Sequence, residues 1–426
     1  MNGDVTEKTG WKQAFAVYGD RRIATILALG FSSGLPLALT GATLAVWLTE
    51  AGVSLTDIGL FALVGIPYTF KFVWAPLIDQ VRLPILTKRF GRRRAWMLAT
   101  QGLLIAALLT LGSLDPTRQT FAVALLALVV AFCSASQDIV IDAYRVEILD
   151  APQYGAGAAA VQFGYRLAML TSGAGALVIA QASGSWFVTY AAMAALVGVG
   201  VVTVLINPEP RGDLKTSREF SLRQAVVAPF AEMLTRQGNT IWWVLGFVLL
   251  YKLGDAFAGV MANPFYIKIG FTKAEIAAVS KLFGFGATIV GTFLGGVMVA
   301  RYGLWKSLVV CGALQMASNL MFAWQATVGA DVGALTLTIA IENLSGGMGS
   351  AAFVAYMSGL CNLTYTGTQY ALLSSLAAVG RSVVASFTGA LAQQVGWVDF
   401  FILSTVVALP GVLLLLVYRK RLMPAA

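Results

Sequence analysis

Apolar blocks of roughly 20 residues or more recur along the whole chain, and that is the length an α-helix needs to cross about 30 Å of hydrocarbon. Charge agrees with that reading, because 12% of the residues are charged where a soluble globular chain carries about 25%, and 58% are hydrophobic. So few charges cannot clothe a water-soluble surface of this size. Flanking charges and Gly/Pro breaks place helices at about 23–48, 55–78, 94–113, 120–148, 155–181, 185–206, 240–264, 273–299, 304–325, 332–359, 367–393 and 398–418. The expected fold is an all-α membrane protein with 12 transmembrane helices.

An even number of spans puts both termini on one side, and Lys and Arg decide which side. They concentrate in the N-terminus, the even-to-odd loops and the C-terminus, including Lys88, Arg89, Arg211, Arg223 and Arg419 to Arg421. The opposite loops hold only Arg118, Lys268 and Lys273. By the positive-inside rule both termini are cytoplasmic. The same asymmetry accounts for the net charge of +9 through anionic lipid and insertion, so no nucleic-acid partner is called for. The apolar run after Lys8, Lys12, Arg21 and Arg22 is too long for a signal-peptide core and is expected to stay as the first span. Cys133, Cys311 and Cys361 lie in apolar sequence, are odd in number and show no ligand spacing, so neither a disulfide framework nor a metal site is implied.

The chain also repeats itself. Gly52-Val-Ser54-Leu-Thr-Asp57-Ile58 returns as Gly270-Phe-Thr272-Lys-Ala-Glu275-Ile276, and each copy carries the Ser/Thr and acid of a helix capping box. Ala143-Tyr144 matches Ala355-Tyr356, and Arg166 matches Arg381. The polar stretch 207–239, with Pro208, Pro210 and Pro229, then divides residues 1–206 from 240–426 as a linker between two six-helix bundles. That plan resembles the major facilitator superfamily, in which substrate lies between the halves near the bilayer midplane. Asp79 followed by Gly91-Arg92-Arg93-Arg94 resembles the superfamily's loop motif, with extra residues inserted. Its counterpart, Gly295-Gly296 to Arg301-Tyr302-Gly303, lacks the acid. A charge latch is therefore expected in the first half, although topology alone also accounts for a basic loop.

Ionisable groups within a span cost at least about 2.5–3.5 kcal/mol on insertion scales and are by default functional candidates. They are Lys71, Asp138, Asp142 and Arg166 in the first half and Lys252, Asp255, Lys281, Glu342 and Arg381 in the second. Asp138 and Asp142 share one helical face, with Arg145 on the same stripe and Glu147 just beyond. Like charges one turn apart suit a group that loads and releases a proton. The same pair also suits a gate closed by the loop arginines. The chain has no His, so an imidazole relay is excluded, carboxylates must carry any proton, and a nucleophile–base enzyme site is disfavoured. No phosphate loop or dinucleotide fingerprint is present either, which leaves an ion gradient as the driving force and implies no cofactor. A potential of 100 mV supplies about 2.3 kcal/mol per charge moved. Lys252 and Asp255 are three apart, close enough to pair with each other, while the surplus of buried cations suits a carboxylate ligand. The Gly155, Gly291 to Gly295 and Gly346 to Gly349 runs read as close helix packing.

The segments 29–40, 70–79 (Phe-Lys71-Phe-Val-Trp-Ala-Pro-Leu-Ile-Asp79), 135–143 (Ala-Ser-Gln137-Asp138-Ile-Val-Ile-Asp142-Ala), 164–167, 251–257 (Tyr251-Lys252-Leu-Gly-Asp255-Ala-Phe) and 342–349 (Glu342-Asn343-Leu-Ser-Gly-Gly-Met-Gly) resemble the AmpG muropeptide permease family. The resemblance runs from about 23 to 418. It implies proton-driven import of N-acetylglucosaminyl-1,6-anhydro-N-acetylmuramyl peptides across the bacterial inner membrane, feeding peptidoglycan recycling and β-lactamase induction. Asp138 and Asp142 are then the proton-coupling candidates. Substrate contact falls to Lys71, Gln137, Arg166, Tyr251, Lys252, Asp255, Lys281, Glu342, Asn343 and Arg381, and gating to Asp79, Arg92, Arg93, Arg94, Arg145 and Glu147. The partners implied are muropeptide, protons and membrane lipid, with no nucleic acid and no obligate protein partner. The wider family's siderophore and coenzyme-A-type carriers give an alternative substrate class. A membrane sensor that binds muropeptides without transport is a further alternative, disfavoured by the acid pair.

Overall fold

The computed structural model describes residues 11–210, 222–272 and 275–423. Among them twelve helical rods run in sequence: α1 Arg21–Glu50, α2 55–80, α3 Arg92–Gly112, α4 Thr120–Ile148, α5 Ala151–Ser183, α6 Trp186–Ile206, α7 241–268, α8 276–302, α9 Leu304–Val328, α10 Val332–Gly359, α11 Thr366–Val395 and α12 Trp397–Val417. Their places agree with the sequence expectation to within a few residues. Nine stretches among the described residues are long and apolar enough to cross a membrane. The other three rods are α2, α10 and α11. Rod α2 is cut into short pieces by 3-10 turns at Phe61–Gly65 and Lys71–Val73, and α10 is diluted by Glu342, Asn343 and a glycine run.

Breaks fall where the chemistry requires them. Pro36 sits inside α1 and Gly41 then interrupts it with φ −119° and ψ −107°. In α7 the helix stops at Leu250 and resumes at Leu253, leaving Lys252 at the junction. Irregular backbone at membrane depth is tolerated only where it is buried in protein or lines a cavity. Lys71 and Lys252, both at such breaks, therefore occupy expected places for a cavity lining.

The apolar cores sort the rods into two groups. One core joins Leu35, Trp47, Leu108, Val130, Ala176 and Tyr190 from α1 to α6; another joins Phe257, Phe265, Phe322, Ile339 and Phe400 from α7 to α12. The internal repeat reappears as geometry. Gly91 before α3 (φ 88°) and Gly303 before α9 (φ 77°) share a left-handed backbone that favours glycine. Tyr144 donates to the Pro208 carbonyl (2.9 Å), and Tyr356 donates to the Leu422 carbonyl (2.8 Å). The Thr272/Glu275 box closes in both directions, whereas Ser54 and Asp57 bond chiefly to each other.

Between the groups, α5 packs on α8 and α10, while α2 and α4 pack on α11. Gly155 and Gly296 let the α5 and α8 backbones touch, since a Cβ on Gly155 would lie 3.0 Å from the Gly296 carbonyl oxygen. This contact, and the bond from Tyr18 to the Phe293 carbonyl (2.9 Å), lie toward the end that carries both termini and the linker, here the terminal face. The linker itself contains a helix, Leu222–Gln237, which its polar composition did not announce.

Candidate functional site

Charged side chains meet at two levels. The deeper level lies at mid-length of the rods. Ser33 of α1 donates to Asp138 of α4, and Lys71 of α2 reaches Asp142 at 3.7 Å. Tyr165 of α5 stands within electrostatic reach of both acids. In the second group Lys252 pairs with Asp255 at 2.9 Å and approaches the Gly346 carbonyl at 3.4 Å. Glu342 of α10 interacts with Asp255 and Lys252 and, across the interface, with Arg166 of α5. These side chains keep partial exposure, 12% and 21% for Lys71 and Asp142 and 13% and 26% for Lys252 and Asp255, so they line a space and are not core ion pairs. The side chains of Lys281 and Arg381 lie outside the described residues.

Two residues expected to contact substrate turn elsewhere. Gln137 is fully buried and donates to Ser32 inside the first bundle, and Tyr251 is buried with its hydroxyl on the Leu308 carbonyl (3.0 Å). Both sit on the bundle-facing side of a helix, because position 137 precedes cavity-facing Asp138 by one residue, or about 100° of turn. Asn343 is half-buried and accepts from Thr288 (2.7 Å).

The second level is at the terminal face and is largely buried. Asp79, with no exposed area, accepts from Arg93 (2.7 Å) of its own bundle and from three donors at the start of α11: Gly367 N (3.2 Å), Thr368 N (2.6 Å) and Thr368 Oγ1 (2.6 Å). Arg93 is shared with Glu147, which also lies 3.7 Å from Arg92, and Arg92 donates to the Asp79 carbonyl (2.6 Å). Buried charges persist only when paired and hydrogen-bonded throughout, as this triad is. Arg145, also fully buried, reaches Asp142 at 3.4 Å, donates to Ser358 of α10 (2.9 Å) and stacks its guanidinium 5.0 Å from the Tyr370 ring of α11. Arg94 faces away from this seam and holds the α6 end through the Val204 carbonyl (2.8 Å). The loop arginines thus engage Asp79 and Glu147, and among the described contacts they do not touch Asp138 or Asp142.

Sequence reasoning did not find Ser33, Gly367, Thr368, Ser358 or Tyr370, which are joined to their partners only by long-range contact. It also missed Glu209. Its carboxylate accepts from the Arg93 and Arg94 amides (2.8 and 3.0 Å) and so caps α3. Burial raises the pKa of Glu209 from its ordinary value, against the lowering effect of those amides. The signal for it was its place between Pro208 and Pro210, just past α6.

Two helical bundles with charges between them at mid-depth, sealed by polar contacts at one end, have the architecture of a membrane transporter with the major facilitator fold. A solved structure of that superfamily, FucP in the outward conformation, aligns with a TM-score of 0.65 at 15% identity, over 94% of this chain and 98% of that one. Residues 22–183 match the family model described as "Acetyl-coenzyme A transporter 1". The "Anhydromuropeptide permease" of Escherichia coli K12 is 44% identical over 96% of this chain and 82% of its own length. "Putative transporter AmpG 4" of Rickettsia felis is 34% identical over 95% of this chain and 98% of its own. The chain belongs to the AmpG family of multi-pass membrane transporters.

Proposed function

We propose that this chain imports anhydromuropeptides, N-acetylglucosaminyl-1,6-anhydro-N-acetylmuramyl peptides, across the bacterial inner membrane by proton symport, serving peptidoglycan recycling and the β-lactamase induction signal. The observation that carries the reading is a set of partly exposed charges contributed by both bundles, in a chain 44% identical to a named anhydromuropeptide permease. Both termini and the linker are cytoplasmic, as the Lys/Arg asymmetry requires. Residues 1–206 and 240–426 move as two bodies. The terminal-face gate of Asp79, Arg92, Arg93, Arg145 and Glu147 is closed, with Arg94 bracing its α3 arm, so the cavity is addressed from the periplasm.

The stem peptide offers carboxylates to the cations Lys71, Arg166, Lys252, Lys281 and Arg381, while Asp255, Glu342 and Asn343 complete the lining. Asp138 and Asp142 carry the proton. Lys71 next to Asp142 supplies the coupling: when a substrate carboxylate engages Lys71, Asp142 loses one of its two cationic partners and keeps Arg145. Membrane lipid is the surrounding solvent, and no obligate protein partner is required. A coenzyme-A-type anion is the second reading, favoured by the family-model match over 22–183.

The test is uptake of labelled anhydromuropeptide into proteoliposomes with and without an imposed pH gradient. Gradient-driven accumulation is expected. Asp138→Asn and Asp142→Asn should abolish accumulation yet leave counterflow exchange. Uptake that ignores the gradient would reject symport, and saturable uptake of a coenzyme A thioester alone would select the second reading.

A further inference from the structure

The linker helix Leu222–Gln237 lies across the seam between the two bundles. It packs on the last turn of α2, which contains Asp79, and on the first turns of α7 and α11. Its polar contacts are lopsided. Gln369, one residue after Thr368, donates to Glu232 (2.6 Å) and to the Pro229 carbonyl (3.1 Å). Asn362, in the turn between α10 and α11, donates to the other oxygen of Glu232 (2.8 Å), and Arg236 bonds Glu232 (2.8 Å) and the Leu360 carbonyl (2.8 Å). Gln369 also accepts from the Asn362 amide (2.8 Å). Met233 is buried in the core of the second bundle. Toward α2 the described contacts of this helix include no hydrogen bond.

We infer that the linker helix is a splint of the second bundle and that Glu232 is a positioning residue for the gate. It holds the first turn of α11 so that the Gly367 and Thr368 donors converge on Asp79. Residues 367 and 368 grip the first bundle while residue 369 is gripped by the linker, so displacing Gln369 swings the donors away from the carboxylate. When the bundles part, the helix travels with α11 and slides off the end of α2. The carboxylate-centred knot resists separation of the linker helix from α11, because each bond to a charged group is stronger than a neutral one. This inference rests on the gate assignment made above.

Cys361 gives a native reporter. Its thiol lies in the same turn, bonds the Met357 carbonyl (3.2 Å), and burial pushes its pKa up, so it reacts slowly while the gate is closed. With Cys133 and Cys311 replaced by Ala, alkylation of Cys361 by a membrane-impermeant maleimide is measured from the terminal face. Glu232→Ala should quicken it about ten-fold, and Glu232→Gln, which keeps one accepting oxygen, should fall between. Local loosening of the turn is separated from gate opening by spin labels at Arg89 and Lys306. Both are exposed at the terminal face, one on each bundle and away from the network. Glu232→Ala should add a longer-distance population there. Wild-type distances and labelling in both Glu232 variants, beside a clear effect of Asp79→Asn, would overturn the splint alone. If Asp79→Asn is silent too, the gate assignment falls and the splint with it.

Discussion

Asp79→Asn tests the gate where its chemistry is most exposed to calculation. The carboxylate is fully buried and receives four hydrogen bonds, three of them across the seam from Gly367 and Thr368. Asparagine keeps one oxygen and turns an NH2 toward donors, so at least the two Thr368 bonds to Oδ2 or the Oδ1 pair are lost. Hydrogen bonds to a charged group contribute about 1.5–3 kcal/mol each. Loss of the carboxylate at the N-terminus of α11 adds about 0.3–1 kcal/mol. In the open gate those donors and the carboxylate are hydrated, so part of the loss is common to both states. A net shift of about 3 kcal/mol toward the open gate remains, roughly a hundred-fold in the population ratio. Distances between spin labels at Arg89 and Lys306 read that ratio in the membrane. A distribution identical to wild type, with normal uptake, would mean that Asp79 only ties α2 to α3 within its own bundle.

Three further outcomes follow from other parts of the site. Lys252→Gln should weaken peptide-bearing ligands about ten- to a hundred-fold, at about 1.5–3 kcal/mol per charge-assisted contact, and spare the peptide-free anhydro-disaccharide; equal losses in a binding titration of both ligands would make Lys252 a partner of Asp255 only. Arg166→Glu with Glu342→Arg should recover uptake that each single change loses, because the two charges face each other across the interface; a double variant as inactive as the singles would refute the pairing. Glu209 gives a pH dependence. Its pKa is raised in the folded protein, so the folded state binds more protons and this group's stabilisation falls as pH rises from 4.5 through the raised value. Glu209→Gln should flatten that slope in thermal melts across the window, and an unchanged slope would show that another group sets it.

The twelve rods were readable because hydrocarbon demands a continuous apolar run, and the two bundles because short motifs repeat in loops and helices alike: Gly52 with Gly270, Ser54 with Thr272, Tyr144 with Tyr356. The charges were readable as candidates for the same reason, since each stands out against an apolar background. Their partners were not. Lys71 and Asp142 are 71 residues apart in sequence, and the donors to Asp79 are backbone amides at 367 and 368 that no residue type announces. Periodicity placed Gln137 beside Asp138 but did not tell which of the two neighbours faces the cavity. Tyr251, named through the family resemblance, likewise turns its hydroxyl to the Leu308 carbonyl beside the helix break at Lys252.

The most consequential separation lies along α4. Asp138, Asp142 and Arg145 read in sequence as one charged stripe with Glu147 just beyond, yet the structure assigns the four to three environments. Asp138 answers to Ser33 of α1, Asp142 is held between Lys71 and Arg145, and Glu147 belongs to the Arg92 and Arg93 loop. Asp142 is therefore the junction. One of its oxygens faces the cavity cation and the other faces the arginine that grips Ser358 and Tyr370 of the second bundle. On the symport proposed above, a proton on Asp142 would weaken its hold on Arg145 when substrate occupies Lys71, so proton uptake and gate release would meet at a single side chain. An acid confined to the cavity, such as Asp138, has no such reach. Asp142→Asn should thus disturb both accumulation and the Arg89–Lys306 distance, and Asp138→Asn accumulation alone. If both variants leave that distance as in wild type, proton loading and gate opening are not joined at Asp142.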